Sequence, residues 1–284
     1  GYTGGELIRL LLTHPGVEIV SLTCSSADQP HPVFDYWSWL RKVCDLSIKP
    51  EITGETDGAA VVFLSVPHGV AMKLAPAYLE KGCKVIDLTA DYRFRDLSIR
   101  NAWYAGEHTS PDLCAEAVYG MPELFRKEIK SARLIANPGC FPTTVILGLY
   151  PAIQAGLIDA QGIHVSSATG VTGAGKKATL IYHHPELDQN FFAYKVGKHQ
   201  HSPEMIAILS QATAKPVSLQ FVPHVLPLQR GIFSTMFCKK IENVTLAQIW
   251  DAYESAYRNE PFVRLYPLGK THDLQTVRFS NFVD

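Results

Sequence analysis

Ala60-Val61-Val62-Phe63-Leu64-Ser65-Val66 is a nearly continuous apolar run of strand length, closed by Pro67-His68-Gly69. A helical pattern over 70–81 comes next, and Lys84-Val85-Ile86-Asp87-Leu88 then reads as a second buried strand. Strands separated by a helix-length crossover pair in parallel rather than as a hairpin, so this stretch predicts a parallel sheet with helices on its faces.

The alternation extends in both directions. Upstream, Gly1-Tyr2-Thr3-Gly4 opens a helix in which Leu7, Ile8, Leu10, Leu11 and Leu12 alternate with Glu6 and Arg9; Pro15-Gly16 stops it, and 17–23 reads as a strand. Downstream, a strand over 133–136 ends at Asn137-Pro138-Gly139-Cys140, and Pro142, as the first helical residue, leads into a helix over 143–155. Beyond it, strand-like stretches at 163–168, 218–222 and 232–239 dominate, with helices at 203–213 and 245–257. Ser202 has the position of an N-cap for the first of these, and Thr245 with Gln248 has capping-box spacing for the second. The change of pattern puts a domain boundary near Asn137.

Composition agrees with a two-domain globular chain: 284 residues exceed the usual single-domain length of about 100–150, and 46% are hydrophobic against 19% charged. A net charge of −1 gives no concentrated cationic surface, so neither nucleic acid nor an anionic membrane is expected as partner. No apolar run reaches the roughly 18 residues of a bilayer span, and no secretory signal is visible. The expected location is the cytoplasm, or the mitochondrial matrix or plastid in a eukaryote. The six cysteines are scattered without metal or haem spacing, so reduced thiols and no metal are expected. Gly1 lies inside a glycine loop and Asp284 in strand-like sequence, and both ends read as cut.

Four features carry chemistry. Gly1 and Gly4, directly before a helix, suit a dinucleotide loop in which backbone approaches a pyrophosphate at a helix N-terminus. The following strand ends Cys24-Ser25-Ser26-Ala27, offering hydroxyls where an NAD site usually has a carboxylate, so NADP is the expected cofactor. Cys140 starts a helix, where the positive end of the dipole stabilises a thiolate; the competing reading is a packing cysteine, which Cys83 and Cys238 fit better. His199 and His201, two apart in Lys198-His199-Gln200-His201-Ser202-Pro203-Glu204, share a face if extended, as an acid and a supporting donor or as a surface pair. Gly170-Val171-Thr172-Gly173-Ala174-Gly175-Lys176-Lys177 imitates a phosphate loop, but Lys177 stands where Ser or Thr must ligate magnesium, leaving an anion pocket or a turn.

With these pieces the chain resembles the N-acetyl-γ-glutamyl-phosphate reductase family, relatives of aspartate-semialdehyde dehydrogenase. The matching motifs are G-Y-T-G-G-E-L-I-R-L-L at 1–11, V-P-H-G at 66–69, D-L-T-A-D-Y-R-F at 87–94, A-V-Y-G-M-P-E-L at 117–124, N-P-G-C-F-P-T at 137–143, G-V-T-G-A-G-K at 170–176, A-Y-K-V-G-K-H-Q-H-S-P-E at 193–204 and P-H-V-L-P-L-Q-R-G-I at 223–232. The resemblance implies a Rossmann-type doubly wound NADP-binding domain over 1–138, lacking its first strand. It implies an α+β catalytic and dimerisation domain over 139–284, lacking a C-terminal return to the first. It further implies Cys140 as nucleophile and His199 as acid/base, with a pH–rate limb near neutrality owed to His199. Arg93, Tyr194 and His201 are the implied substrate contacts, and Gly1, Tyr2, Thr3, Gly4, Ser25, Ser26 and Pro67 the cofactor contacts. The implied reaction is NADPH-dependent reduction of an acyl phosphate through a cysteine thioester, in a homodimer or homotetramer. Sister reductases of aspartyl or aminoadipyl phosphate, and a non-catalytic nucleotide-binding subunit, are the competing readings. The chain departs from the family at Gln200, where H-R-H is common, and at Ala168-Thr169-Gly170, where K-S-G is common.

Overall fold

A computed structural model describes residues 1–50 and 54–284, which divide into two compact units. The first holds 1–120 and 127–137, and the second 121–126 and 138–284.

In chain order the first unit begins with α1 (Tyr2–Leu12), β1 (Leu22–Cys24), β2 (His31–Pro32), α2 (Val33–Tyr36) and β3 (Ser47–Pro50). It continues with β4 (Val61–Leu64), α3 (Ala71–Glu80), β5 (Lys84–Asp87), α4 (Leu97–Trp103), α5 (Asp112–Glu116) and β6 (Val118–Tyr119). Next is α6 (Pro122–Ser131), whose Phe125 has non-helical φ of −126°, close to where the chain passes between units, and then β7 (Leu134–Ala136). As the run at 60–66 predicts, β4, β5, β7 and β6 form one wholly parallel sheet in that order. Leu64, Val85, Leu134 and Ala136 pack with Ala71, Leu74, Ala75 and Tyr78 of α3 as its core. Asp91 fixes the start of α3, accepting the N–H groups of Gly69 at 2.8 Å and Met72 at 3.1 Å where the helix has no cap of its own.

The expected strand over 17–23 shrinks to β1. Val17 and Val20 are exposed, and among the described residues Leu22–Cys24 is the part that pairs, in parallel with Ile48, Lys49 and Pro50, in a separate three-stranded sheet. A strand with no neighbour at its start leaves backbone groups to water instead of a ladder. Ile8 of α1, Val33, Leu40 and Ile48 form the core of this part. Gly5 is required there, because a Cβ on it would lie 2.5 Å from Trp37 Nε1.

The second unit comprises α7 (Cys140–Gln154), β8 (Ile163–Gly170), α8 (His184–Leu187), β9 (Phe192–Ala193), α9 (His201–Thr213), β10 (Leu219–Leu226), β11 (Ile232–Phe237) and α10 (Leu246–Tyr257). The sheet order is β11-β8-β10-β9, with β8 and β10 parallel and both edge strands antiparallel. The helices α7 and α9 lie along this sheet, and α10 packs on α7. Gly148 lets α7 approach β11, since a Cβ would meet the Met236 methyl at 2.5 Å.

Two cap expectations change. The helix α7 begins at Cys140 with Gly139 as N-cap, so Pro142 occupies the third helical position, still within the turn whose N–H groups lack helical partners. Pro151 sits deeper in α7 and leaves the Leu147 carbonyl without its helical donor; Tyr257 Oη donates to it at 2.6 Å, a buried bond worth about 1–3 kcal/mol against leaving the group unmet. Ser202 is not the cap of α9, which starts one residue earlier after Gln200; the Thr245 capping box with Gln248 is present.

Candidate active site

The second unit brings four of the expected residues together. Cys140 is exposed at the first position of α7, held there by Gly139, whose carbonyl accepts the N–H and the hydroxyl of Thr143 at 3.0 Å each. Phe141, next along α7 and buried, lies edge-on to the rings of His199 at 5.4 Å, His201 at 5.9 Å and Phe221 at 5.0 Å. The helix that Cys140 opens thus forms one wall around the histidines.

Tyr194 is placed by β9 and by its N–H, which donates to the Pro223 carbonyl at 3.0 Å. Its hydroxyl lies 3.4 Å from His199 Nε2. Burial first, and then the negative charge of the Cys140 thiolate, push the Tyr194 hydroxyl upward, so it stays protonated. This one side chain therefore senses both Cys140 and His199.

His199 is almost fully buried, and its Nδ1 accepts the N–H of His201 at 3.2 Å. The ring thus meets the first N–H of α9, whose N-cap Gln200 makes no side-chain cap bond. An acceptor at Nδ1 requires the hydrogen of the neutral ring to be on Nε2, where it faces Tyr194. Burial, reinforced by the charges of His201 and Lys195 and opposed by Glu204, pushes His199 down to about 3. The free ring is thus neutral near pH 7, and the neutral-pH limb expected of it moves to acid. Lys195 adopts a left-handed φ of 45° and donates from Nζ to Gln200 Oε1 at 3.1 Å, bringing a cation beside the position where the family commonly has arginine.

One buried side chain beside these residues carries no mark in the sequence. Glu204 looks like an ordinary acid in the first turns of a helix, a place that favours exposed carboxylates. In the fold it is fully buried, and Oε1 accepts the Gly139 N–H at 2.8 Å.

The first unit holds the remaining expected residues. Gly1 is the N-cap of α1, and Tyr2, Thr3 and Gly4 form its opening turn, so the N–H groups of that turn lack helical acceptors. A Cβ at Gly1 would meet nothing within 4 Å and one at Gly4 only Ser65 Oγ at 3.8 Å, which leaves room for a phosphate to reach the helix end. Ser25 and Ser26 are exposed just after β1, with Ser26 Oγ 3.1 Å from Cys24 Sγ, and Pro67 is exposed after β4. These residues fit a dinucleotide. Arg93 is buried; its Nε donates to the Asn137 carbonyl at 2.8 Å and Nη2 to the Leu88 carbonyl at 3.5 Å. The phosphate-loop imitation at 170–177 leads from β8 into a 3₁₀ turn (Val171–Ala174), not an α-helix, and Gly175 then takes φ of 83°. Without a helix N-terminus it lacks the anion cradle of a nucleotide triphosphatase.

The family model described as the semialdehyde dehydrogenase NAD binding domain matches residues 1–132, and the semialdehyde dehydrogenase dimerisation domain matches 140–284. The chain is 43% identical over 286 aligned residues to an N-acetyl-gamma-glutamyl-phosphate reductase of Symbiobacterium thermophilum, covering 100% of this chain and 82% of that protein. It is 44% identical over 285 residues to the one from Syntrophobacter fumaroxidans, with the same coverage of 100% and 82%. Among solved structures, aspartate semialdehyde dehydrogenase II from Vibrio cholerae superposes with a TM-score of 0.68 at 15% identity, over 96% of this chain and 81% of that one. The aspartate semialdehyde dehydrogenase with NADP from Candida albicans gives 0.65 at 16% identity, over 89% and 73%. At such identities the structural likeness speaks for the fold. No helix among the described residues is long and apolar enough to cross a membrane.

Proposed function

Since the chain belongs to the N-acetyl-γ-glutamyl-phosphate reductase family of semialdehyde dehydrogenases, we propose that Cys140 is its nucleophile and His199 its proton-handling partner. The protein is an NADP-dependent phosphorylating semialdehyde dehydrogenase. It reduces N-acetyl-γ-glutamyl phosphate to N-acetylglutamate semialdehyde and releases phosphate, a step of arginine biosynthesis. Identity near 43% to reductases of that name, against 15% to aspartate semialdehyde dehydrogenase, favours this substrate over its sisters. The observation that supports the residue assignment is Tyr194, whose hydroxyl lies 3.4 Å from His199 Nε2 and is pushed upward in part by the charge of Cys140.

The Cys140 thiolate attacks the acyl carbon; a C–S bond forms, the C–O bond to phosphate breaks, and phosphate departs with the electron pair and a proton from the medium. NADPH, when bound, supplies hydride to the thioester carbon. The C–S electron pair then returns to sulfur as the aldehyde leaves, which regenerates the thiolate. At each tetrahedral stage negative charge collects on one oxygen, and the Nε2–H of neutral His199 is the donor assigned to it. Complete proton transfer from the ring requires a second proton at Nδ1, which costs the bond from His201 N–H. Tyr194 and His201 are assigned to substrate beside this pair, and Arg93 is assigned to a substrate anion.

The cofactor assignment rests on Gly1, Tyr2, Thr3 and Gly4 for the pyrophosphate, Pro67 beside the nucleotide, and Ser25 and Ser26 for the 2′-phosphate. Hydroxyls donate to a phosphate that a carboxylate would repel. The expected preference for NADPH over NADH in kcat/KM is at least about tenfold, or about 1.4 kcal/mol. Steady-state kinetics with the two cofactors decides it, and equal use removes the serines from this role.

A dimerisation domain is present. On one face of its sheet, cross-strand rows run Phe237, His164, Gln220; Thr235, Ser166, Val222; and Phe233, Ala168, His224. Phe237 and Phe233 are exposed there, and we assign this face to the contact of a homodimer. Phe237→Glu is expected to yield monomers in sedimentation velocity at micromolar concentration; a persisting dimer places the contact elsewhere.

A further inference from the structure

Two interactions reach the reacting groups from the beginning of a single helix. The N–H of His201, the first residue of α9, holds His199 Nδ1 at 3.2 Å. Three residues on, Glu204 Oε1 holds the Gly139 N–H at 2.8 Å, across 65 positions of sequence. Gly139 both precedes Cys140 and caps its helix, and its carbonyl is already gripped by Thr143. The amide side is gripped by Glu204, so the corner has no independent freedom to swing.

A fully buried carboxyl group is an expensive way to fill space, because removal from water penalises its charged form. Leucine would pack there without that cost. The charge also lies at the N-terminus of α7, the same positive end that favours a thiolate on Cys140, so carboxylate and thiolate compete for one field. Among the described residues, the charges of His201, Lys195 and Glu204 act on His199, and those of Cys140 and Tyr182 act on Tyr194.

We propose that Glu204 is a positioning residue, which clamps the Gly139–Cys140 corner to the helix start that holds His199 so that thiol and imidazole keep one fixed separation. The inference rests on Cys140 as nucleophile and adds the group that aims it. Because the clamp is a carboxyl group at the start of the helix that carries Cys140, its removal also changes the field on that thiol, an effect that a packing residue would not have.

The test compares wild type, Glu204→Gln and Glu204→Leu in two measurements: the pH profile of iodoacetamide alkylation at Cys140, followed by peptide mass spectrometry without cofactor or substrate, and kcat and KM for phosphate-dependent aldehyde oxidation. Glutamine keeps an acceptor and loses the charge, so the alkylation midpoint is expected to fall by at least about half a pH unit. Leucine loses the acceptor too, and its kcat is expected to fall at least about tenfold below that of the glutamine variant, with KM changed far less. A reactive Cys140 with the same midpoint in wild type and Glu204→Gln overturns the inference alone. So does a leucine variant that matches the glutamine one in kcat. A wild-type Cys140 that resists alkylation overturns the thioester reading and this inference with it. If the leucine variant does not fold, the glutamine midpoint still decides.

Discussion

Cys140→Ser is expected to fold as the wild type does, to bind NADP, and to lose essentially all phosphate-dependent aldehyde oxidation. A serine hydroxyl at the head of α7 would meet the same helix field as the thiol, yet it ionises far above neutrality, so no nucleophilic anion forms. Loss of an essential covalent catalyst costs several powers of ten, so a residual rate above about one hundredth of wild type would remove Cys140 from the role. Cys83→Ser and Cys238→Ser are the controls. Cys83 is buried with Sγ donating to the Ala59 carbonyl at 3.1 Å, and Cys238 is half-buried, so both changes should lower the unfolding temperature more than the rate.

His199→Ala is expected to lower kcat by about 10²–10⁴-fold, whereas His201→Ala acts mainly on KM or costs less. The difference follows from geometry. His199 presents Nε2 toward Tyr194 within a wall of Phe141 and Phe221, while His201 contributes a backbone N–H to that ring, and alanine retains it. The pH dependence has a sign as well. With His199 pushed down to about 3, the ring is already neutral in the free enzyme at higher pH. The kcat/KM profile, which reports free-enzyme ionisations, should keep its shape above about pH 5 in His199→Ala while its height falls. A limb near neutrality that vanishes in the variant would mean a ring charged at rest, incompatible with Nδ1 as acceptor. If His201→Ala is the more damaging to kcat, the two roles are reversed.

Local signals were sufficient for the strand–helix–strand series at 60–88, for the Thr245 capping box, and for a cysteine at a strand-to-helix corner. Each depends on groups within a turn or two of one another: apolar periodicity, a hydroxyl three residues from a free N–H, a Pro-Gly pair that ends a strand. Motif order across the whole chain also identified the family, because eight separate matches seldom coincide.

Other features depended on residues remote in sequence. Val17 and Val20 have strand character, but β1 shortens to the three residues that find a partner in β3. Ser202 has cap chemistry, yet the His199 ring reaches the N–H at the head of α9 instead. Arg93, expected to meet a substrate anion, is also tied to the carbonyls of Asn137 and Leu88, contacts that no local pattern announces. Glu204 reads as a surface acid and becomes the buried acceptor of an amide 65 positions away. The sequence by itself determined the main strand–helix alternation and put Cys140 at a helix start, since propensity, caps and periodicity act over a few residues. Which polar groups are buried, which atom of His199 bears its hydrogen, and what grips the corner before Cys140 were decided only by tertiary structure. A buried donor or acceptor must be satisfied by whichever partner the fold brings within about 3 Å, however far apart the two stand along the chain.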